Sequence, residues 1–281
     1  MRLVAVMALA ACSASTTSDD TRTFAADPIA VAAGSELVEC WDFTIADALA
    51  ITAADVALPP ATHHWSLTIE SGTARSGGYD CTNMPAGGPM AATLGIGGPG
   101  AAALAFPDGA AFTIAAGDVM TLQVHLLNAT DAAITAAPQI DLTVAANASG
   151  LAPVGLLVAA SNSIVLQPGA LGVQVEAKCS APQALAHVFD GYLHAHTRGR
   201  ELTFDAGGQR LLDANPWNFE MQKIYPLELA IDQGTPLALT CTYDNPGTTE
   251  IRAGQLASDE MCVGVLYYYP ANTPIVSCFG M

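Results

Sequence analysis

The sequence predicts an all-β protein built from sandwiches of antiparallel sheets. Three observations carry that expectation. Short segments alternate large apolar residues with polar or small ones, Gly- and Pro-rich turns punctuate them, and no sustained 3.6-residue period runs beside them. The chain has 281 residues and a formal net charge of −17, yet only 12% of its residues are charged while 51% are hydrophobic. A disordered chain needs the opposite balance. A nucleic-acid binder needs a basic surface to neutralise phosphates, so no nucleic-acid partner is expected.

In chain order, the first element is an address. Met1-Arg2 is followed by a short apolar run and small residues before Cys12. The run is too short to cross a bilayer and reads as a signal peptide over residues 1–11. Leu9-Ala10-Ala11-Cys12 resembles a bacterial lipobox, which implies cleavage before Cys12 and lipidation of its thiol. Ser13 after the Cys favours the outer membrane. The expected location is therefore the bacterial cell envelope, with the lipid anchor as the only membrane contact. Residues 12–27 are small and polar and read as a flexible tether.

The strand-like pieces follow. Residues 64–69 (HWSLTI), 120–126 (MTLQVHL), 139–144 (QIDLTV), 172–176 (GVQVE) and 237–242 (LALTCT) carry period-two patterns. Turns are marked at Pro59-Pro60, Pro107-Asp108-Gly109, Ala116-Gly117-Asp118, Gln167-Pro168-Gly169, Ala206-Gly207-Gly208 and Asn245-Pro246-Gly247. Residues 114–124 and 165–175 share a strand, glycine-turn, strand pattern. That fits two similar β-sandwiches, residues 28–152 and 153–281, joined near Ala152-Pro153.

Seven cysteines less Cys12 leave Cys40, Cys81, Cys179, Cys241, Cys262 and Cys278. In an oxidising compartment these persist as disulfides, and spacing alone does not choose among the fifteen pairings six cysteines allow.

The histidines fall in few places. His194 and His196 are i and i+2, so on a strand both imidazoles share a face and can chelate one metal. His63 and His64 are adjacent and would diverge on a regular strand. Both reach one ion only at a strand end or bulge, which Pro59-Pro60 just upstream makes plausible. His125 lies on an alternating strand with Gln123 on its own face.

Taken in order, His63-His64, Leu122-Gln-Val-His125, His187-Val-Phe189 leading into Leu193-His-Ala-His196, and Ser258-Asp-Glu-Met-Cys262 followed by aromatics form a pattern. It resembles the copper type II, ascorbate-dependent monooxygenases, whose members include peptidylglycine α-hydroxylating monooxygenase and dopamine β-monooxygenase. The match spans about residues 40 to 280. The resemblance implies two jelly-roll-like domains facing each other across a solvent-filled cleft, each holding one copper. His63, His64 and His125 would bind the first copper. His194, His196 and Met261 would bind the second, where O2 meets the substrate, with ascorbate or another one-electron donor as co-substrate. His187 matches a family position that is not a ligand. The ligand types suit the metal: imidazole serves copper in both redox states, and a soft thioether favours Cu(I). The resemblance also implies the pairs Cys241–Cys262, Cys179–Cys278 and Cys40–Cys81.

The sequence departs from the peptide-amidating relatives at their substrate anchors. Tyr192 stands where they carry an Arg, and Val263 and Val265 stand where they carry an Asn and a Tyr. Neither Tyr nor Val forms a bidentate carboxylate clamp. A less polar cleft and a small-molecule substrate are expected, without peptide amidation. An exported copper monooxygenase is thus the leading expectation. A copper-binding or copper-buffering lipoprotein without turnover and a non-catalytic β-sandwich adhesion module are the alternatives.

Overall fold

The computed structural model describes residues 19–82, 92–98 and 103–280, and these form strands, turns and loops with no helix. The lipobox and Cys12 lie outside the described residues.

In the first half, two sheets face each other. A six-stranded sheet runs Asp20–Ala25, Gln139–Val144, Leu49–Ala57, Ala110–Ile114, Ala152–Pro153, with Ala103–Ala105 also paired to Leu49–Ala57. A five-stranded sheet runs Tyr79–Asp80, Glu36–Thr44, Asp118–Leu127, Thr62–Ser71, Ala92–Gly97. Strand alternation explains the layering. Trp65, Leu67 and Ile69 point one way with Met120, Leu122 and Val124 beside them, and all six enter one apolar core with Ile51, Phe112 and Leu142 of the opposite sheet. The opposite face of the same strands carries His64, Ser66, Gln123 and His125.

The second half repeats the theme. Its five-stranded sheet runs Ile224–Ile231, Leu185–His194, Val263–Tyr269, Gly155–Ser161, Ile275–Gly280, the last two strands parallel. Its four-stranded partner runs Val173–Ser180, Pro236–Tyr243, Gly199–Ala206, Gln209–Ala214. Gly264 lets the two sheets close up, because a Cβ there would meet Phe204 at 2.7 Å. Leu157, Leu193, Leu266 and Tyr268 enter this second core. Leu156, Tyr192, Val265 and Tyr267, from the same strands, belong instead to the first core. One sheet of the second half is therefore buried on both faces, and the two halves share apolar contacts.

Three disulfides join Cys40 to Cys81, Cys179 to Cys278 and Cys241 to Cys262. Four of the five strand pieces expected from periodicity lie within observed strands, the fifth begins one residue ahead of its strand Val173–Ser180, and residues 49–57 form the strand Leu49–Ala57. One expectation is corrected. Residues 20–25, inside the segment expected to be a flexible tether, form an edge strand on Gln139–Val144. Thr21, Thr23 and Phe24 suit a strand, and Phe24 rests on Phe43 with ring centroids 5.6 Å apart. A window of small polar residues hid this one anchoring aromatic.

Candidate metal centre

The adjacent histidines converge through a bulge. His64 pairs with His125 in the ladder between Thr62–Ser71 and Asp118–Leu127, but the next residue of the second strand, Leu126, pairs with Thr62. His63 is the extra residue, so its side chain and that of His64 both turn inward, and both are buried. The entry to this bulge is strained. Ala61 has φ +70, a left-handed conformation unusual for a residue with a Cβ, directly after Pro59-Pro60.

His63, His64 and His125 form the first group able to hold a metal. The Nδ1 atoms of His63 and His64 are 3.0 Å apart, and those of His64 and His125 are 3.4 Å apart. Imidazole–metal bonds of about 2.0 Å around one ion place the nitrogens roughly 3.3 Å apart, so the spacing fits a shared ion. His125 turns its other nitrogen, Nε2, to Glu36 Oε1 at 2.6 Å. The same oxygen accepts the backbone N–H of Ala257 at 2.5 Å. Glu36 thus ties the first group to the loop that leads to Met261.

His194 ends its strand and His196 follows it. Together with His64 they form the second group able to hold a metal. His194 Nδ1 donates to Gln222 Oε1 at 2.8 Å, and His196 Nδ1 donates to the carbonyl of Asp259 at 3.0 Å. Among the described residues, both Nε2 atoms are left inward, buried and without a hydrogen-bond partner, as is His63 Nε2. Buried imidazole nitrogens without partners are costly unless something coordinates them. An outer acceptor that fixes the tautomer while the other nitrogen stays free is how metal-binding histidines are held.

Electrostatics agrees. Burial is the main cause holding all five histidines below their ordinary value, to about 4 at His194 and about 3 at His196. They are neutral, and so able to ligate, at neutral pH. Glu260 is buried beside them and accepts the backbone N–H groups of His196, Arg198 and Met261 at 2.8, 2.6 and 3.3 Å. Burial nevertheless pushes its carboxyl up to about 7. These donors suit copper, which both imidazole and thioether ligate.

The two sets do not face each other across solvent. The rings of His63 and His196 are 5.0 Å apart, centroid to centroid, and those of His64 and His194 are 5.1 Å apart. All five imidazoles form one cluster, in place of the separated pair of sites expected from the resemblance. The shared apolar contacts between the halves, together with the Glu36–Ala257 bond, close the gap.

Residues 151–281 match the family described as copper type II ascorbate-dependent monooxygenase, C-terminal domain. This C-terminal stretch is therefore similar to the copper type II ascorbate-dependent monooxygenase family. Tyramine beta-hydroxylase of Caenorhabditis briggsae is 28% identical over 137 residues, which cover 44% of this chain and 23% of that relative. The match therefore spans under a quarter of the relative's length. Solved structures resemble the chain weakly. PNGase F, a glycosylasparaginase from Flavobacterium meningosepticum, gives a TM-score of 0.42 at 11% identity, covering 92% of this chain and 98% of that one. The major capsid protein P2 of bacteriophage PM2 gives 0.36 at 10% identity, covering 91% and 100%.

Met261 is half-buried and borders a cavity of about 440 Å³ together with His64 and His194. Its backbone is fixed by Tyr243, whose hydroxyl donates to the Met261 carbonyl at 2.6 Å, and by the Cys241–Cys262 disulfide next door. His187 is exposed, stacked on Tyr269, and stands apart from the cluster. Tyr192 does not line the cavity. It is fully buried, and its hydroxyl donates to the same Gln222 oxygen that receives His194. Val263 lines the cavity, whereas Val265 is in the first core. The sequence reading missed Glu36, Gln222 and the bonding of Glu260. Glu260 had a signal, one of two adjacent carboxylates, Asp259 and Glu260, in the Ser258–Cys262 motif. Gln222 had none: it lies in an irregular segment, held by the Phe219 carbonyl and by Gly98, where any Cβ would come within 2.7 Å of its amide carbon.

Proposed function

We propose that the chain is an exported copper-dependent monooxygenase acting on a C–H bond of a small molecule. One atom of O2 enters the C–H bond and the other leaves as water, with two electrons and two protons drawn from an external donor of the ascorbate class. The observation that supports this best is a pair of buried, neutral histidine sets touching each other beside the 440 Å³ cavity. A copper buffer needs the histidines but not the cavity.

Bound copper would supply one-electron redox chemistry and activation of O2. The chain's own residues do the rest. His63, His64 and His125 hold one ion through nitrogens whose spacing the bulge sets. His194 and His196 hold the other, with Met261 as the third, weaker ligand. Glu36, Gln222 and the Asp259 carbonyl keep the ring tautomers fixed. The apolar walls Ile96, Val263 and Ala160 exclude water from the reacting carbon. We further propose that residues 28–152 and 153–281 are the family's two jelly-roll-like sandwiches. Cleavage before Cys12 would leave the mature chain lipid-anchored in the bacterial envelope, at the outer membrane.

The test is copper loading of the mature chain under reducing, anaerobic conditions, followed by oxygen uptake with ascorbate and candidate substrates. Two coppers per chain with substrate-dependent oxygen uptake is the expected result. Two coppers without turnover on any substrate would favour the buffer, and zero would overturn both.

A further inference from the structure

The cavity beside the histidines has a polar wall that no metal uses. His64 and His125 are directly paired across neighbouring strands, and two residues further along the ladder Ser66 is directly paired with Gln123. The strand period places Ser66 on the face of His64, about 7 Å along. Both Ser66 and Gln123 line the cavity, and both are almost fully buried, 2% and 3% exposed. Ser66 Oγ has no hydrogen-bond partner among the described residues. Among the described residues, Gln123 gives its amide N–H only to Cys81 Sγ, at 3.5 Å, a long contact to a weak acceptor. Unsatisfied hydroxyl and amide donors on a buried wall are expensive unless a ligand accepts from them.

Charge is missing from the same cavity. Among its described lining residues there is no Lys, Arg or Asp, and both oxygens of its one carboxylate, Glu260, already accept backbone N–H groups. Of the remaining walls, Ile96, Ala160, Val263 and Met261 are apolar, and Ser161, Asn162 and Gln255 are polar but uncharged. An anion would find no counter-charge, and a cation would find only a carboxylate already committed to the backbone. Its volume of about 440 Å³ lies toward the small end of ligand pockets.

The structure assigns Ser66 and Gln123 as the specificity-determining anchor of this cavity, and an uncharged small molecule carrying an acceptor oxygen, of the carboxamide kind, as its occupant. The oxygen accepts from Ser66 Oγ–H and Gln123 Nε2–H, and the apolar remainder extends toward His194 and Met261. This rests on reading the cavity as the substrate pocket of a copper monooxygenase. It explains why the chain lacks the carboxylate clamp: the anchor has moved to the other half and become neutral.

Three compounds of one skeleton test it: phenylacetamide, phenylacetate and phenethylamine, titrated calorimetrically into the metal-free, disulfide-intact mature chain. Phenylacetamide should bind at least about tenfold more tightly than the other two. Ser66→Ala should weaken it by about tenfold, the usual effect of removing one buried hydrogen-bond partner. Gln123→Glu, nearly isosteric, should also weaken the amide and should improve the amine relative to it, and it keeps the test open if Ser66→Ala perturbs folding. Equal affinity for the three compounds, no binding of any of them, or amide affinity unchanged in both variants would overturn the assignment. Copper stoichiometry, measured separately, is independent of these outcomes. Two coppers with no amide preference sinks the anchor alone, whereas no copper with a clear amide preference sinks the monooxygenase reading.

Discussion

His64 and His125 stand directly opposite each other on neighbouring strands, with their Nδ1 atoms 3.4 Å apart. The pairing explains why one bulge makes a candidate metal site. A regular ladder would bring only these two imidazoles together. Inserting His63 between the pairs His125–His64 and Leu126–Thr62 adds a third on the same face. The left-handed Ala61 and the two prolines before it fix where the extra residue falls.

Glu36 is expected to control the first set. Its Oε1 receives both His125 Nε2 and the Ala257 N–H, so removing it frees one ligand and the loop before Met261. Glu36→Ala should lower Cu(I) affinity about 10- to 100-fold, as loss of such outer partners does. Glu36→Gln, which keeps an acceptor oxygen, should recover most of it. Competition against a Cu(I) chelator measures both, and full affinity in Glu36→Ala would refute the role.

Much of the candidate metal centre was legible in sequence because its histidines come from short local patterns. His194-Ala-His196 needs only a strand's period, and His63-His64 needs only a break beside Pro59-Pro60. The contact between the two sets was not legible. It depends on the second half's sheet burying Tyr192 and Val265 in the first half's core, and nothing local in Tyr192 or Val265 tells which core each will join. Supporting groups such as Gln222 were invisible for the same reason: their partners are tens of residues away.

Gln222→Leu should destabilise the metal-free chain. Leucine fills similar space but leaves the Tyr192 hydroxyl and His194 Nδ1–H buried without an acceptor. The cost should be about 1–3 kcal/mol per stranded group, read from the urea midpoint. An unchanged midpoint would show that these two donors find other acceptors.

Acid should unfold the metal-free chain early. Burial holds the five histidines below their ordinary value, so the unfolded chain takes up protons near pH 6.5 that the folded chain refuses. Their contribution is complete above about pH 6.5 and lost as pH falls below it. Glu260 acts oppositely. Raised to about 7, it favours the folded state below the ordinary carboxyl range and loses that contribution as pH rises through 7. One carboxyl offsets one histidine, and a net uptake of a few protons remains, each worth about 1.4 kcal/mol per pH unit. Urea midpoints at pH 7.5 and 5.5 should differ by several kcal/mol in stability, and a flat profile would contradict the buried neutral cluster.

Met261→Ile separates ligand from filler. Met261 is half-buried at the cavity edge beside His64 and His194, a poor place for a residue whose task is packing. Its position is held by the Tyr243 hydroxyl on its carbonyl and by the Cys241–Cys262 disulfide, so its side chain is presented rather than left to wander. Isoleucine keeps the apolarity and most of the volume but deletes the sulfur. If Met261 completes the second set, Cu–S scattering in the X-ray absorption spectrum of the reduced, copper-loaded protein should vanish in the variant. Oxygen-dependent turnover should collapse, while copper at His63, His64 and His125 stays bound. A thioether is a weak donor, so the His194 and His196 imidazoles should still hold some copper in the variant, at reduced affinity. Sulfur scattering that persists in Met261→Ile would have to come from another residue and would remove Met261 from the metal centre.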